Sequence, residues 1–391
     1  MKLLVILSRV PYPLDKGDKL RAYHQLRLLH ARHEIVLCCL TETPVDARSR
    51  EALRSISTEY HIIPLAKWRI WVNISLGIFS RKPFQVTYFY QLGAHRIIRR
   101  IIAESDPDHI YCQLVRTAEY AKNEHNYPKT IDYQDAFSKG MERRQNKAKW
   151  PLTELYATEK NRLIRYENLV FEFFEFHTII SEEDRKYIYH PERREIAVVS
   201  NGIDTDYFQK GAQTARKYDL LFTGNMQYPP NMEAAEYIVE KILPVLRKSN
   251  PRISLLLAGA EPHKRVRALG ATPGVHISGW LDDIRDAYRD ARIFIAPMQT
   301  GTGLQNKLLE AMAMELPCIT SALANTSLKA QEGVEIEIGQ TPEDYAAKIE
   351  SILASEAAGA KMASKGRLFV LTHFSWQQSV AILETMLTAQ K

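Results

Sequence analysis

Short apolar runs without alternation constrain this chain most. Leu3 to Leu7, Glu34 to Leu40, His61 to Leu65, His109 to Cys112, Lys129 to Tyr133, Thr178 to Ser181 and Ile196 to Ser200 are rich in β-branched residues or Leu, and none alternates strictly between apolar and polar. A strand that is apolar on both sides must be covered on both faces, which is the condition of a parallel sheet inside an α/β layer. Between the first two runs, Lys19 to Arg32 sets Ala22, Leu26 and Leu29 on one helical face, completing a β-α-β unit whose right-handed crossover builds a doubly wound layer. A second series repeats the plan: Asp219 to Thr223, Ile253 to Ala258, Val275 to Ser278, Ile293 to Ala296, Cys318 to Ser321 and Val334 to Ile338. At 391 residues the chain exceeds what one core organises. The expectation is two α/β domains, 1–200 and 201–375, each a doubly wound parallel sheet, with a C-terminal helix over 376–391 packing back on the first. Asn201-Gly202-Ile203-Asp204 reads as the turn between them, with Gly202 at positive φ.

Charge is uneven along this plan. Residues 1–100 hold 17 Lys/Arg against 7 Asp/Glu, although the net charge of the whole chain is only +6, so the first quarter is expected to face something anionic. Cys38, Cys39, Cys112 and Cys318 lie in or beside apolar runs without metal-ligand or redox spacing, which reads as buried, reduced thiols in a cytoplasmic protein. The opening apolar run is too short for a secretory segment, and nothing approaches the ~20 apolar residues of a membrane span. Any membrane contact is expected to be peripheral.

Open α/β sheets bind ligands beyond the carboxyl ends of their strands, and two such sheets are expected to line a common cleft. Ala296 to Ser321 runs from a strand through a glycine-flanked turn, Gly301-Thr302-Gly303, into a helix. Unpaired N–H groups at that helix start suit a diphosphate. A helix terminus supplies about 0.3–1 kcal/mol, and ~2 when partly buried, so a cation is needed as well. Lys307 is the natural supplier, with Glu310 three residues on and on the same helical side. Thr223-Gly224-Asn225, Gly259 and Gly279-Trp280-Leu281-Asp282 end the other strands of this half. Pro229-Pro230-Asn231 starts a helix with Asn231 as the expected cap. In the first half, Asp15-Lys16-Gly17-Asp18-Lys19 enters a helix. Gly17 could bring backbone N–H groups near a phosphate there, with Lys19 or Arg21 adding charge; the alternative is a solvated turn. No G-x-G-x-x-G follows a strand, which argues against a dinucleotide dehydrogenase.

Two segments break the rhythm. Trp68 to Tyr90 mixes aromatics with Arg69, Arg81 and Lys82, and reads either as a helix packed on the first sheet with a solvated basic rim or as an interfacial element meeting an anionic membrane or acceptor. Met141 to Phe176 is long, charged and helical, and reads as scaffold.

Taken in order, the Gly17 turn, Asn201-Gly202-Ile203-Asp204, Phe222-Thr223-Gly224, Leu257-Ala258-Gly259, Gly279-Trp280-Leu281-Asp282, Lys307-Leu308-Leu309-Glu310-Ala311-Met312-Ala313 and Phe374-Ser375-Trp376 resemble the retaining glycosyltransferases of family 4. Within that family the likeness leans toward members from exopolysaccharide systems, through Tyr228-Pro229-Pro230-Asn231 and Gly303-Leu304-Gln305-Asn306-Lys307. The resemblance implies the GT-B architecture, two Rossmann-like domains facing a cleft, with an N-terminal acceptor domain and a C-terminal donor domain. It also implies that Gly17 lies near the donor phosphates, that backbone around Trp280 and Leu281 meets the nucleobase, and that Glu310, matching the second Glu of the family's E-x7-E motif, binds the donor ribose. The first Glu of that motif falls on Thr302, the family's N-terminal His on Gln113, and its Arg and Lys after the first C-domain strand on Asn225 and Gln227.

The implied reaction is transfer of a hexose from a UDP- or GDP-linked sugar to a glycan or lipid-linked acceptor with retention, in surface or exopolysaccharide biosynthesis. No separate cofactor, metal or nucleic acid is called for. Gly303, Lys307 and the Gly17 turn would stabilise the leaving diphosphate, and Asp135, after a strand, is the candidate polar contact to acceptor or donor sugar. The alternatives are a catalytically degenerate nucleotide-sugar or partner-binding protein of the same fold, motivated by Thr302 and Gln113, and a sugar-nucleotide epimerase. The expected place of work is the cytoplasm, at the inner face of the membrane if the Trp68 to Tyr90 segment is interfacial.

Overall fold

The computed structural model describes residues 1–211, 216–260, 262–300 and 304–388. They form two compact units, Met1–Ser200 with the chain from Gln377 onward, and Asn201–Trp376.

The first unit is built on seven parallel strands: β1 (Lys2–Leu7), β2 (Glu34–Thr41), β3 (Glu59–Pro64), β4 (His109–Gln113), β5 (Lys129–Gln134), β6 (Phe176–Ile179) and β7 (Ala197–Val198), in the order β3-β2-β1-β4-β5-β6-β7. The lack of alternation has a direct structural cause. Leu3, Val5 and Leu7 join one apolar layer with Ile35, Leu37 and Leu26, while Leu4 and Ile6 join the opposite layer with Val36, Cys38 and Ile98. Side chains still point alternately up and down, but both faces are covered. The helix Trp376–Thr388 contributes Val380, Leu383 and Leu387 to the first of these layers. Glu384 on the same helix takes hydrogen bonds from Arg32 at 2.7 Å and meets His33 Nε2 at 2.8 Å. All four cysteines are buried and outside disulfides.

The second unit holds β8 (Tyr218–Thr223), β9 (Leu255–Ala258), β10 (Val275–Gly279), β11 (Ala291–Ala296), β12 (Cys318–Ser321) and β13 (Glu337–Gly339), parallel, in the order β10-β9-β8-β11-β12-β13. Two strands start later than their apolar runs. The Ile253 N–H bonds back to Asn250 in a turn, and Gly333, at φ 74°, closes a turn onto Ile336 before β13 can begin. In both sheets strand order reverses beside the first strand, between β1 and β4 and between β8 and β11. These are the switch points at which crossovers diverge to opposite faces and leave the strand ends uncovered.

Gly202 is not at positive φ. Its requirement is steric: a Cβ there would lie 2.3 Å from the Trp376 nitrogen, because the chain entering the second unit pairs Ile203 with Ser375. The segment from Trp68 to Tyr90 forms helices Lys67–Gly77 and Phe84–Phe89. Ile70 is buried and Ile74 packs on the core, but Trp68, Trp71, Val72, Leu76, Ile78 and Phe79 are exposed, so a simply packed helix describes only one of its faces. Met141 to Phe176 lies largely in two helices that pack on each other, Phe137–Lys147 and Leu152–Phe171.

Candidate functional site

The β8/β11 switch point is built around Lys307, the second residue of the helix Asn306–Ala313. Its ammonium donates to Asn231 Oδ1 and lies 4.8 Å from the centroid of the Phe222 ring at the end of β8. Asn231 is in turn fixed by its amide, which donates to the Asn225 carbonyl at 2.9 Å. Asn231 is therefore not the helix cap. The helix already begins at Pro229, with Tyr228 as cap, and the Asn231 side chain is turned toward Lys307. Gly224 makes this approach possible: at φ 152°, a Cβ would sit 2.6 Å from Asn231 Nδ2 and 3.3 Å from Lys307 Nζ. Gly259 is constrained alongside it, since its Cβ would fall 1.8 Å from the Gly224 carbonyl oxygen.

Lys307 and Glu310 share a helical side without being each other's partner. Glu310 Oε2 accepts from the Tyr288 hydroxyl at 2.7 Å, and that hydroxyl lies 2.9 Å from Thr223 Oγ1. Burial pushes the Lys307 ammonium down to about 7, with the Glu310 charge opposing the shift, and burial also raises Glu310. The result is a cation whose nearest hydrogen-bond acceptor among the described residues is a neutral amide, at the end of a parallel sheet. A charge in that state gains most from an arriving anion. Asn225 is engaged locally, its Oδ1 accepting from the Gln227 N–H at 2.9 Å. Trp280 is exposed at the end of β10, and Leu281 packs partly on the core. Thr302 and Gly303 lie outside the described residues.

At the β1/β4 switch point the residues expected to meet phosphate are placed differently from one another. Gly17 opens the helix Gly17–His30, and a Cβ there would meet only Gln134 Nε2 at an ordinary 3.8 Å. Arg21 does not add charge to that turn. It is fully buried, and its guanidinium spans both oxygens of Asp132 at 2.7 and 3.0 Å and the Val199 carbonyl at 2.7 Å. Tyr111 and Thr178 also donate to Asp132, so the pair ties the helix to β4, β5, β6 and the chain beyond β7. Lys19 pairs with Asp15 at 2.8 Å.

Asp135, just past β5, is raised to about 7, first by burial and then by the Asp184, Asp132 and Asp18 charges against the pull of Arg21. Gln134 beside it and Leu114 past β4 stand at φ 59° and 65°, left-handed backbone that non-glycine residues rarely adopt. Such strain clusters where a fold presents residues for use. Gln113 donates to the Asp18 carbonyl at 3.0 Å, which fixes the helix entrance.

Sequence reasoning passed over Arg9, Asp18 and Arg116 in this cluster. Arg9 donates to Asp18 at 2.7 Å, and Arg116 donates to Gln85 and lies 5.1 Å from the Phe89 ring centroid. Burial, then the neighbouring Arg9, brings Arg116 down to about 10. Both arginines follow central strands, so reading the residues beyond β1 and β4 would have found them. Tyr288 carried no such signal, because it sits within a helix and reaches Glu310 only through packing.

Residues 217–355 match the family described as glycosyl transferases group 1. Over 354 residues the chain is 23% identical to a 44.6 kDa protein in the cps region of Klebsiella pneumoniae, covering 86% of this chain and 87% of that one. Among solved structures it is similar to Anabaena HepE in complex with UDP and glucose, with TM-score 0.71, 13% identity and full coverage of both chains. It is equally similar to sucrose-phosphate synthase from Thermosynechococcus elongatus, with TM-score 0.71, 13% identity, and coverage of 99% of this chain and 98% of that one. The fold is GT-B, and the stretch that matches the group 1 model lies within the second unit.

Proposed function

We propose that the protein transfers a sugar from a nucleoside diphosphate donor to a glycan or lipid-linked acceptor in polysaccharide biosynthesis, the second unit holding the donor and the first the acceptor. The observation that carries this is Lys307 at the β8/β11 switch point, held by Asn231 over Gly224 inside the domain that matches the group 1 family. HepE, of the same fold, is solved with UDP and with UDP-glucose, which supports a uridine diphosphate donor. The cps-region relative supports surface polysaccharide as the product class.

In the proposed reaction the bond from the sugar anomeric carbon to the β-phosphate oxygen breaks while the acceptor hydroxyl oxygen bonds to that carbon from the same face. That same-face replacement gives retention, and the acceptor proton passes to the departing phosphate. Charge builds on the leaving diphosphate, and the Lys307 ammonium with the helix N-terminus behind it stabilises that charge. A diphosphate arriving beside Lys307 favours its charged form, so the cation is present when needed. Asp135, held near neutrality in its free state, would contact a sugar hydroxyl.

The test is incubation with UDP- and GDP-sugars, with nucleotide release followed with and without acceptor extract. Acceptor-dependent release is expected. Binding without release would favour instead a nucleotide-sugar-binding protein, a reading supported by Gln113, which stands where the family has His and is bonded to backbone.

A further inference from the structure

The helix Lys67–Gly77 carries two apolar stripes. Ile70 and Ile74 face the core of the first unit. Trp68, Trp71, Val72, Leu76 and, just past the helix, Phe79 follow the i, i+3, i+4, i+8, i+11 spacing of a single other face, and that face is bare: Trp68 is 64% exposed, Trp71 71%, Leu76 65% and Phe79 91%. A helix apolar on both sides belongs in an interior, yet here one side is presented outward.

The segment is not loosely attached. Arg162, on the helix Leu152–Phe171, donates to the Gly77 and Ile78 carbonyls at 2.8 Å each, satisfying orphan acceptors where the first helix ends. One turn earlier on that helix, Glu159 accepts from the Phe84 and Gln85 N–H groups at 2.8 and 3.1 Å, where the next helix begins. Both junctions of the hairpin are thus held by one neighbour, while its aromatic face stays largely exposed.

The charge around that face selects its occupant. Between residues 60 and 103 there are seven Lys/Arg and no Asp or Glu. Lys67, Arg69, Arg81, Arg96 and Arg100 are exposed, and the Arg69 guanidinium lies 5.0 Å from the Trp68 ring. Exposed Trp and Phe flanked by cations, with no acid among them, match the two layers of an anionic bilayer surface: acyl boundary for the rings, lipid phosphates for the guanidinium groups.

We infer that the exposed face of the Lys67–Phe79 segment docks the protein on an anionic phospholipid bilayer, with Trp71 and Phe79 entering the acyl boundary and Arg69 and Arg81 meeting headgroup phosphates. This does not depend on the transfer reading, since vesicle binding and UDP binding are measured separately.

The experiment is co-sedimentation of the full chain with vesicles of phosphatidylcholine alone or mixed with phosphatidylglycerol. Binding is expected only to the mixed vesicles and should weaken with salt. Trp71→Ser with Phe79→Ser should lower partitioning roughly tenfold or more. Arg69→Gln and Arg81→Gln should each lower it about fivefold. The four side chains are exposed, so circular dichroism and UDP affinity should stay as in the parent. Equal partitioning onto both vesicle types, or none onto either, overturns the proposal. So does a concentration-dependent dimer in sedimentation velocity that Trp71→Ser with Phe79→Ser abolishes while vesicles remain unbound, since a second copy would then cover the face.

Discussion

Arg21 and Lys307 hold matching places in the two units. Each lies in the first turns of a helix that follows a strand at a switch point, and each was a candidate phosphate cation. Arg21 is neutralised by Asp132 and buried beside β4, β5, β6 and the chain beyond β7, so its charge fastens the first unit together. Among the described residues Lys307 donates to an amide and faces an aromatic ring, with Glu310 acting on it through its charge alone, and it is held down to about 7. A buried cation that has its counter-ion stabilises the fold, whereas one without it is a binding free energy held in reserve for an anion.

The sharpest way to break this contrast is Arg21→Met. It strands the buried Asp132 charge, and the first unit should lose about 3–5 kcal/mol in denaturant unfolding. Lys307→Met should do the opposite to stability and the reverse to ligand. Thermal midpoint should hold or rise at neutral pH, while calorimetric UDP affinity falls about 10- to 100-fold, the loss of one charge-assisted hydrogen bond of about 1.5–3 kcal/mol. Uridine affinity should be unchanged, and an equal loss for nucleoside and nucleotide would remove Lys307 from the phosphate role.

Tyr288→Phe deletes the hydroxyl between Thr223 and Glu310 and should cost about 1 kcal/mol of stability, read by chemical denaturation. The smallest effect is a fraction of a proton. Lys307 has a free-state pKa of about 7, lowered from 10.5, and a diphosphate should raise it again. Between the free and bound values, binding takes up a proton. Titrations at pH 8 in buffers of different ionisation enthalpy should therefore show uptake of up to about one proton, shrinking below pH 7 and absent in Lys307→Met. The same shift predicts that, without ligand, stability rises with pH between about 7 and 10.5. In that window the unfolded chain binds more protons than the folded one.

The architecture was largely legible because runs such as Leu3 to Leu7 and Ile293 to Ala296 leave few alternatives to a doubly covered parallel strand. The placement of Lys307, Glu310 and Gly224 beyond strand ends was legible for a related reason: glycine-flanked turns after apolar runs mark where a strand stops and a helix starts. Their partners were not. Asn231 read as a cap because Asn before a helix usually is one, but Pro229 starts the helix earlier and frees the side chain to meet Lys307. Gly202 read as a left-handed turn, while its true constraint is Trp376, far along the chain. Trp68 to Tyr90 could be divided between core and surface only once Ile70 was seen to point in and Trp71 out.

By itself the amino-acid order determined the two parallel sheets and the residue types that follow their strands, because strand burial and helix periodicity are local properties of hydrophobic patterning. Tertiary structure alone decided which cation is neutralised and which waits. That depends on whether a carboxylate from a distant strand arrives beside it, as Asp132 does beside Arg21, or a neutral amide does, as Asn231 does beside Lys307.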